Sequence, residues 1–155
     1  MSDDLRFRTL AEVGRERLAE VMAGAATTTL DRGDRLRMIR QDPRDWADSF
    51  LRHDVRPADE RSWRLADSPE GESVGVVGIS ATGDSAVLCY LCVVPEYRGR
   101  RLGEQLVYAG YRAARRRGLA AVHAYVDTEN RPMIAALERS GAKAGKWRRR
   151  LFVRS

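Results

Sequence analysis

The sequence is short of the features that mark several large classes of protein. No apolar run approaches the roughly 20 residues of a membrane span. Two cysteines and two histidines in 155 residues supply neither a disulfide framework nor a set of metal ligands, so we expect no metal. Neither the Gly-x-Gly-x-x-Gly nor the P-loop spacing occurs, which excludes those two phosphate sites. The start, MSDDLRFRTL, lacks the apolar core of a secretory signal and predicts a cytoplasmic protein.

Lysine is nearly absent, and arginine carries the positive charge. Residues 1–90 hold 13 Arg against 17 acidic residues, a net charge of −4, whereas residues 91–155 reach +10. The two halves are therefore expected to meet different partners. The basic half raises the alternative of a nucleic-acid-binding domain. Few aromatics interleave with its arginines and no helix-turn-helix or zinc spacing occurs, so we predict neither a nucleic-acid nor a membrane partner.

The hydrophobic pattern predicts one α/β (α+β) domain over residues 1–155, built around a mixed sheet. Strands are expected at the following ranges: 5–9, 62–67, 73–80, 86–94, 119–126, 143–147 and 150–154. Helices are expected after the first strand, after a cap at Asp31 or Asp34, as a short turn from Pro43, from Leu102 to Gly118, and after a cap at Asp127 or Thr128. Cys89 and Cys92 stand three apart in a strand, which favours two buried, reduced thiols on opposite faces.

The segment VVPEYRGRRLGEQLV, residues 93–107, carries the most specific chemistry. It leaves an apolar strand through a loop with Gly99, Gly103 and three arginines and then enters a helix. The first amides of a helix have no hydrogen-bond partner within the helix, and they form the positive end of its dipole. Phosphate binds at such a place, and neighbouring arginines add charge. The pattern therefore indicates a site for a polyanion.

The same residues resemble the acyl-CoA signature of the GNAT superfamily of acetyl-CoA-dependent N-acetyltransferases, Arg/Gln-x-x-Gly-x-Gly/Ala after a strand that ends in Val-x-Pro. Arg98 and Gly103 match this signature, and Arg101 replaces its middle glycine. We expect helical dihedral angles at Arg101, which would accept the change. The segment ENRPMIAALERSGA resembles the second signature through Asn130 and Gly141.

The resemblance implies a GNAT-like, mostly antiparallel sheet of about six to seven strands flanked by helices, in which central strands 86–94 and 119–126 splay apart. It implies acetyl-CoA as co-substrate: the backbone of Cys92 and Val94 would pair with the pantetheine arm, amides from Gly99 to Glu104 would hold the pyrophosphate, and Asn130 would lie near the thioester. The cofactor-binding residues implied are Cys92, Val93, Val94, Arg98, Gly99, Arg100, Arg101, Leu102, Gly103, Glu104 and Asn130.

The two positions that carry proton-transfer groups in the family hold apolar residues here. Val87 and Leu137 occupy the positions at which family members carry a glutamate base and a tyrosine acid. The substitutes on the two central strands are Tyr90, Tyr125, Cys89 and His123, and we select Tyr125 first and Tyr90 second as catalytic candidates.

The predicted function is transfer of an acetyl group from acetyl-CoA to a primary amine of a small molecule or protein, by direct attack in a ternary complex. The alternative is a non-catalytic acyl-CoA-binding or regulatory module, motivated by Val87 and Leu137. Six acidic residues of the N-terminal half are candidates for attracting a cationic amine: Asp31, Asp34, Asp45, Asp48, Asp59 and Glu60. Edge strands near 143–154 make a homodimer possible.

Overall fold

A computed structural model describes residues 4–27, 41–127, 129–147 and 150–154. Its seven strands form a single sheet in the order β1-β2-β3-β4-β5-β7-β6. The strands are β1 (Arg6–Thr9), β2 (Trp63–Asp67), β3 (Ser73–Thr82), β4 (Ser85–Val93), β5 (Ala121–Asp127), β6 (Lys143–Trp147) and β7 (Arg150–Arg154). Every neighbouring pair is antiparallel except β4 and β5, which are parallel. The predicted class, strand number and mostly antiparallel pairing are confirmed.

The described helices lie on both faces of this sheet. They are α1 (Leu10–Val13), α2 (Arg15–Ala26), α3 (Pro43–His53), α4 (Leu102–Arg116) and α5 (Arg131–Arg139), with short 3-10 helices at Pro57–Ser62 and Pro95–Tyr97. The helix predicted after Asp31 or Asp34 lies outside the described residues. Within the described parts of the chain, no helix combines the length and apolar character that a membrane crossing requires.

Two apolar cores occupy the two faces of the sheet. Leu106 and Val107 of α4 and Leu137 of α5 pack with Val77 and Val122 of the sheet on one face. On the other face α2 and α3 cover Trp63, Leu65 and Val76, with Leu18, Met22, Trp46 and Leu51 completely or almost completely buried. The alternation of side chains along β3 divides its residues between these cores.

Local sequence explains where the helices begin. Pro43 occupies the first turn of α3, and the Asp42 carboxylate accepts hydrogen bonds from the Arg44 and Asp45 amides at 3.1 and 3.2 Å. The expected short turn is therefore an 11-residue helix. At α5 the predicted caps Asp127 and Thr128 are wrong: Asn130 is the cap, and its Oδ1 accepts from the Met133 amide at 3.4 Å.

A buried ionic network joins the 3-10 helix Pro57–Ser62 to the end of α4. Asp59 is 2% exposed and accepts hydrogen bonds from Arg117, Arg56, Ser80 and the Ala81 amide. Burial by itself raises the pKa of Asp59, but these donors outweigh it, and the net pKa lies below the ordinary value of 3.8. Asp59 is therefore an ionised carboxylate with a structural role at the edge of the core.

Candidate active site

The central strands β4 and β5 separate partway along their length. They pair at three positions, Ser85 with Ala121, Ala86 with Val122, and Val87 with His123. Both strands continue beyond this point, β4 to Val93 and β5 to Asp127, without further pairing to each other among the described residues. The predicted splay is therefore present, and it opens a slot along one edge of β4.

A β-bulge lies where the slot begins. Leu88 is opposite Ile79 and Tyr90 is opposite Gly78, so Cys89 is the extra residue of β4. Its Sγ donates to the Gly78 carbonyl at 3.4 Å. Cys89 is exposed and lies outside the lining of the slot, which corrects the expectation of a buried thiol; the bulge takes it out of the regular pleat. The surrounding strands nevertheless desolvate the thiol and raise its pKa to about 12, so Cys89 is protonated at neutral pH and is excluded as a base.

Register beyond the bulge decides which backbone groups face the slot. The Val94 amide donates to the Val74 carbonyl at 2.8 Å, and the Val94 carbonyl accepts from the Tyr97 amide. Because alternate residues of an antiparallel strand turn both backbone groups to the same neighbour, Cys92 turns to β3 together with Val94. Leu91 and Val93 turn toward the slot. Pairing of the pantetheine arm with Cys92 and Val94 stays a prediction, and this register favours Leu91 and Val93 in their place.

The loop after β4 enters α4 through a left-handed residue. Arg101 has φ 59° and ψ 21°, and it is the sole non-glycine residue with positive φ in the described chain. The expectation of right-handed helical angles at Arg101 is therefore wrong: the chain reverses here after Gly99 (φ 81°) so that the first amides of α4 face the slot. Side chains disfavour this region because Cβ crowds the following carbonyl. No side chain caps this helix end.

The three arginines of the loop have different surroundings. The Arg98 Nε donates to the Val93 carbonyl at 2.9 Å, and its Nη2 donates to the Ala25 carbonyl at 3.1 Å. Arg100 lies over the Tyr97 ring, 5.0 Å from its centroid. The Tyr97 hydroxyl donates to Glu72 at 2.7 Å, and this bond raises the pKa of the phenol. Arg101 makes neither a hydrogen bond nor an ion pair with the described residues and faces the slot.

A cavity of about 380 Å³ fills the slot and continues over the loop. Nine of the eleven predicted cofactor-binding residues line it: Cys92, Val93, Arg98, Gly99, Arg101, Leu102, Gly103, Glu104 and Asn130. Val94 and Arg100 lie outside its lining. Trp46, an aromatic candidate for an acceptor pocket, also lines the cavity. Sequence reasoning missed the other lining residues, which are Ala25, Ala26, Leu91, Tyr97, Pro132, Met133, Ala135, Ala136 and Arg139.

Gly103 and a salt bridge between α4 and α5 lie at the mouth of this cavity. A Cβ on Gly103 would lie 3.8 Å from the Ala136 Cβ, an ordinary contact, so packing does not require glycine there. Glu104, in the first turn of α4, accepts from the Arg139 Nε at 3.2 Å, which joins α4 to α5 beside the opening. The opening is therefore held by both helices.

The candidates for proton transfer separate in space. Tyr90 lines the cavity and belongs to a cluster of aromatic rings with Trp46, Phe50 and Trp63. Tyr125 is 48% exposed on β5 and lies outside the cavity lining. Leu137 is 1% exposed in the α4–α5 core, outside the lining as well. The structure thus brings Tyr90, and not Tyr125, to the site.

The acidic candidates for amine attraction are largely occupied. Asp59 is buried with Arg117, Glu60 is paired with Arg15, and Asp48 accepts from Arg44 at 3.3 Å. Asp31 and Asp34 lie outside the described residues. The described carboxylates do not converge on the cavity, because none lines it except Glu104, which is paired with Arg139.

These features define a class of protein: a mixed α/β fold whose ligand slot opens between two parallel strands and closes on a helix N-terminus. Residues 28–142 match the model of the acetyltransferase (GNAT) family, and the chain belongs to that family. The family resemblance is thereby confirmed.

A curated relative is the mycothiol acetyltransferase of Corynebacterium glutamicum, in strains R and ATCC 13032. It is 35% identical over 79 residues, which cover 51% of this chain and 22% of that protein. The chain thus spans about a fifth of the length of the curated relatives it matches.

Solved structures share the fold at low identity. The PaiA N-acetyltransferase from Thermoplasma acidophilum, in complex with coenzyme A, has a TM-score of 0.68 at 14% identity over 98% of both chains. PH1933 from Pyrococcus horikoshii OT3 has a TM-score of 0.75 at 12% identity over 98% of both chains. A chimera of spermidine N-acetyltransferase SpeG from Vibrio cholerae has 0.71 at 13% identity, over 99% of this chain and 93% of that one. At these identities the likeness shows the fold.

Proposed function

We propose that this chain is an N-acetyltransferase that moves the acetyl group of acetyl-CoA to a primary amine. The observation that carries the proposal is the cavity of about 380 Å³, whose walls join a free strand edge to the N-terminus of a 15-residue helix. A strand edge suits an amide-containing arm, and a helix N-terminus suits a pyrophosphate. Both are present in one continuous space.

The residues fit acyl-CoA in three places. Leu91 directs its backbone groups into the slot and Val93 its amide, since the Val93 carbonyl accepts from Arg98, and the pantetheine amides would pair with these groups. The amides at the start of α4 would hold the pyrophosphate, with Arg101 adding charge. Asn130 caps α5 and lines the inner part of the cavity, where the thioester would lie.

The reaction requires one bond to form and one to break. The amine nitrogen bonds to the acetyl carbon, the carbon–sulfur bond breaks, the amine loses one proton, and the CoA thiolate gains one. In the proposed reaction the Leu91 amide polarises the thioester carbonyl, as a backbone donor on the slot side of β4. Positioning of the two reactants supplies a further part of the rate. Tyr90 is our proposed proton donor to the leaving sulfur, because it is the candidate that lines the cavity.

The non-catalytic alternative shares the cofactor site and differs in turnover. The buried Leu137 and the paired Val87 leave two usual proton positions without a titratable group. Tyr90 at the cavity wall favours the enzyme over the binding module. Nothing among the described contacts favours a module without catalysis.

The acceptor is proposed as a primary amine of a small molecule or a protein. The curated relative is named for mycothiol and the chimera for spermidine, so the family accommodates chemically different acceptors. Aromatic rings of Tyr90 and Trp46 at the wall would contact an apolar portion of that acceptor. A cytoplasmic location and a homodimer stay predictions.

The test combines binding with turnover. Acetyl-CoA is titrated by calorimetry, and CoA release is followed with a panel of diamines, polyamines, amino sugars and lysine peptides. The proposal expects saturable binding and release above the hydrolysis background with at least one amine. Binding with no product from any amine supports the module, and no binding at saturating acetyl-CoA overturns both.

A further inference from the structure

Arg98 links two walls of the cavity, one of them at Ala25, which is 73 residues away from Arg98 in sequence. Its Nε contacts the Val93 carbonyl at the end of β4, at 2.9 Å. Its Nη2 contacts the Ala25 carbonyl in the last turn of α2, at 3.1 Å. Arg98, Ala25 and Val93 all line the same space. The side chain therefore joins the strand edge of the slot to its helical wall.

The contact with Arg98 adds a cationic donor to the last turn of α2. The carbonyls at a helix C-terminus have no partner within the helix, and a cation there is favourable. The last turn of α2 contains no basic residue of its own. The Thr27 hydroxyl donates a hydrogen bond to the Gly24 carbonyl. The Ala25 carbonyl accepts hydrogen bonds from the Thr27 amide and from Arg98. Arg98 therefore supplies the cation that the helix sequence lacks.

The same geometry limits a direct role of Arg98 toward phosphate. The Nε and Nη2 edge is one of the two edges through which an arginine donates to two oxygens of a phosphate. In this chain that edge points at two backbone carbonyls. Arg100 and Arg101 of the same loop contact neither carbonyl, so the connection to α2 is specific to Arg98.

We propose that Arg98 is a positioning residue that couples the acyl-CoA loop to the α2 wall, so that filling the loop also orders the last turn of α2. The proposal rests on the proposed function for the identity of the ligand. Ala25 and Ala26 line the same cavity as the loop, and this helical wall is where we place the approach of the acceptor amine. Arg98 therefore makes formation of the acceptor side depend on the occupied cofactor side.

The test is hydrogen exchange of the full chain, read by mass spectrometry, with and without CoA at 90% saturation or more. The variants are Arg98→Ala, Arg98→Lys and the matched loop control Arg100→Ala. Without CoA, Arg98→Ala should speed exchange of residues 22–27 by about tenfold, since a charge-assisted contact is lost. Arg98→Lys should lie between, because one ammonium cannot span both carbonyls, and Arg100→Ala should leave 22–27 unchanged.

With CoA bound, the wild type should slow exchange both in the loop, 98–105, and in 22–27. In Arg98→Ala, CoA should still slow hydrogen exchange in the loop, while exchange of residues 22–27 stays fast. If the alanine variant does not fold, Arg98→Lys should show the same difference between loop and helix, to a smaller extent. Equal CoA protection of 22–27 in wild type and both Arg98 variants overturns the coupling while the loop result upholds the proposed function. Absence of loop protection in the wild type instead overturns the proposed function, and the coupling with it.

Discussion

The Trp63 and Tyr90 rings stack with centroids 5.8 Å apart and planes inclined by 15°. They stand on β2 and β4, on either side of Gly78 on β3, which is opposite both of them. A Cβ on Gly78 would lie 2.2 Å from the Trp63 ring. The missing side chain at Gly78 therefore lets two rings meet across a strand, and this stack holds Tyr90 at the cavity wall.

Gly78→Ala should destabilise the fold because its methyl group collides with the Trp63 ring. We expect a loss of about 1–3 kcal/mol in the free energy of unfolding, measured by urea titration. Gly24→Ala is the matched control, since a Cβ at that helical glycine meets nothing within 4 Å. It should stabilise the chain by about 0.4–1 kcal/mol. Equal stability of Gly78→Ala and wild type would contradict the stacking account.

Gly103→Glu should abolish CoA binding while the chain stays folded. The carboxylate adds a negative charge in the first turn of α4, where the phosphates are proposed to bind. Gly103→Ala is the control, because its methyl group makes only an ordinary contact with Ala136. Calorimetry should show binding by the alanine variant and none by the glutamate variant. CoA affinity of Gly103→Glu at the wild-type level would mean that the ligand lies elsewhere.

Arg101→Gly separates the cost of the left-handed backbone from the contribution of the side chain. Glycine adopts φ 59° without the crowding that a Cβ causes, so this variant should be more stable than Arg101→Ala, by about 1 kcal/mol. Both variants lose the guanidinium and should bind CoA about tenfold more weakly, with a shallower salt dependence. The thermal midpoints and calorimetric Kd values decide both points; undiminished CoA affinity removes Arg101 from the site.

Tyr90→Phe should lower kcat by about 100-fold or more if its hydroxyl protonates the leaving thiolate. The Kd for CoA should change little, because the ring that stacks on Trp63 is kept. Tyr125→Phe, outside the cavity lining, should leave kcat near the wild-type value. Rates are measured with the fastest amine of the panel. The reverse pattern would return the proton donor to Tyr125.

We expect the chain to lose stability in acid because Asp59 becomes protonated. The pKa of Asp59 is lowered in the folded chain, so its contribution to the free energy of unfolding is fully present above the ordinary pKa of 3.8. This contribution is lost as the pH falls from 3.8 through the lower pKa of the folded state. Asp59→Ala should cost about 3–5 kcal/mol at pH 7, because the Arg117 side chain, 11% exposed, loses its buried partner.

The adjacent Glu60 provides the control for this ion pair. It is 34% exposed and pairs with Arg15, which is 56% exposed, so Glu60→Gln should cost less than about 1 kcal/mol. Urea titrations between pH 2 and pH 7 should show a smaller acid-dependent loss in Asp59→Ala than in the wild type. Identical pH dependence in the two would show that Asp59 is not the responsible carboxylate.

Local sequence signals predicted much of the fold. Pro43, Gly118 and Gly141 mark helix boundaries that depend on neighbouring residues alone, and the apolar run from Ala86 to Val94 reads as a strand covered on both faces. The loop and α4 follow from glycine positions and an amphipathic helix. Each of these features depends on residues that are close together in the sequence, so it can be predicted without knowledge of the tertiary structure.

Tertiary structure decided the direction in which groups point. The bulge at Cys89 sets the parity that turns Leu91 and Val93, and not Cys92 and Val94, into the slot. Packing across Gly78 brings Tyr90 to the cavity, while Tyr125 faces outward on β5. The sequence by itself determined which segments carry the site. The pairing of distant strands and the contact of Arg98 with α2 determined which atoms meet, because such contacts join residues far apart in the chain.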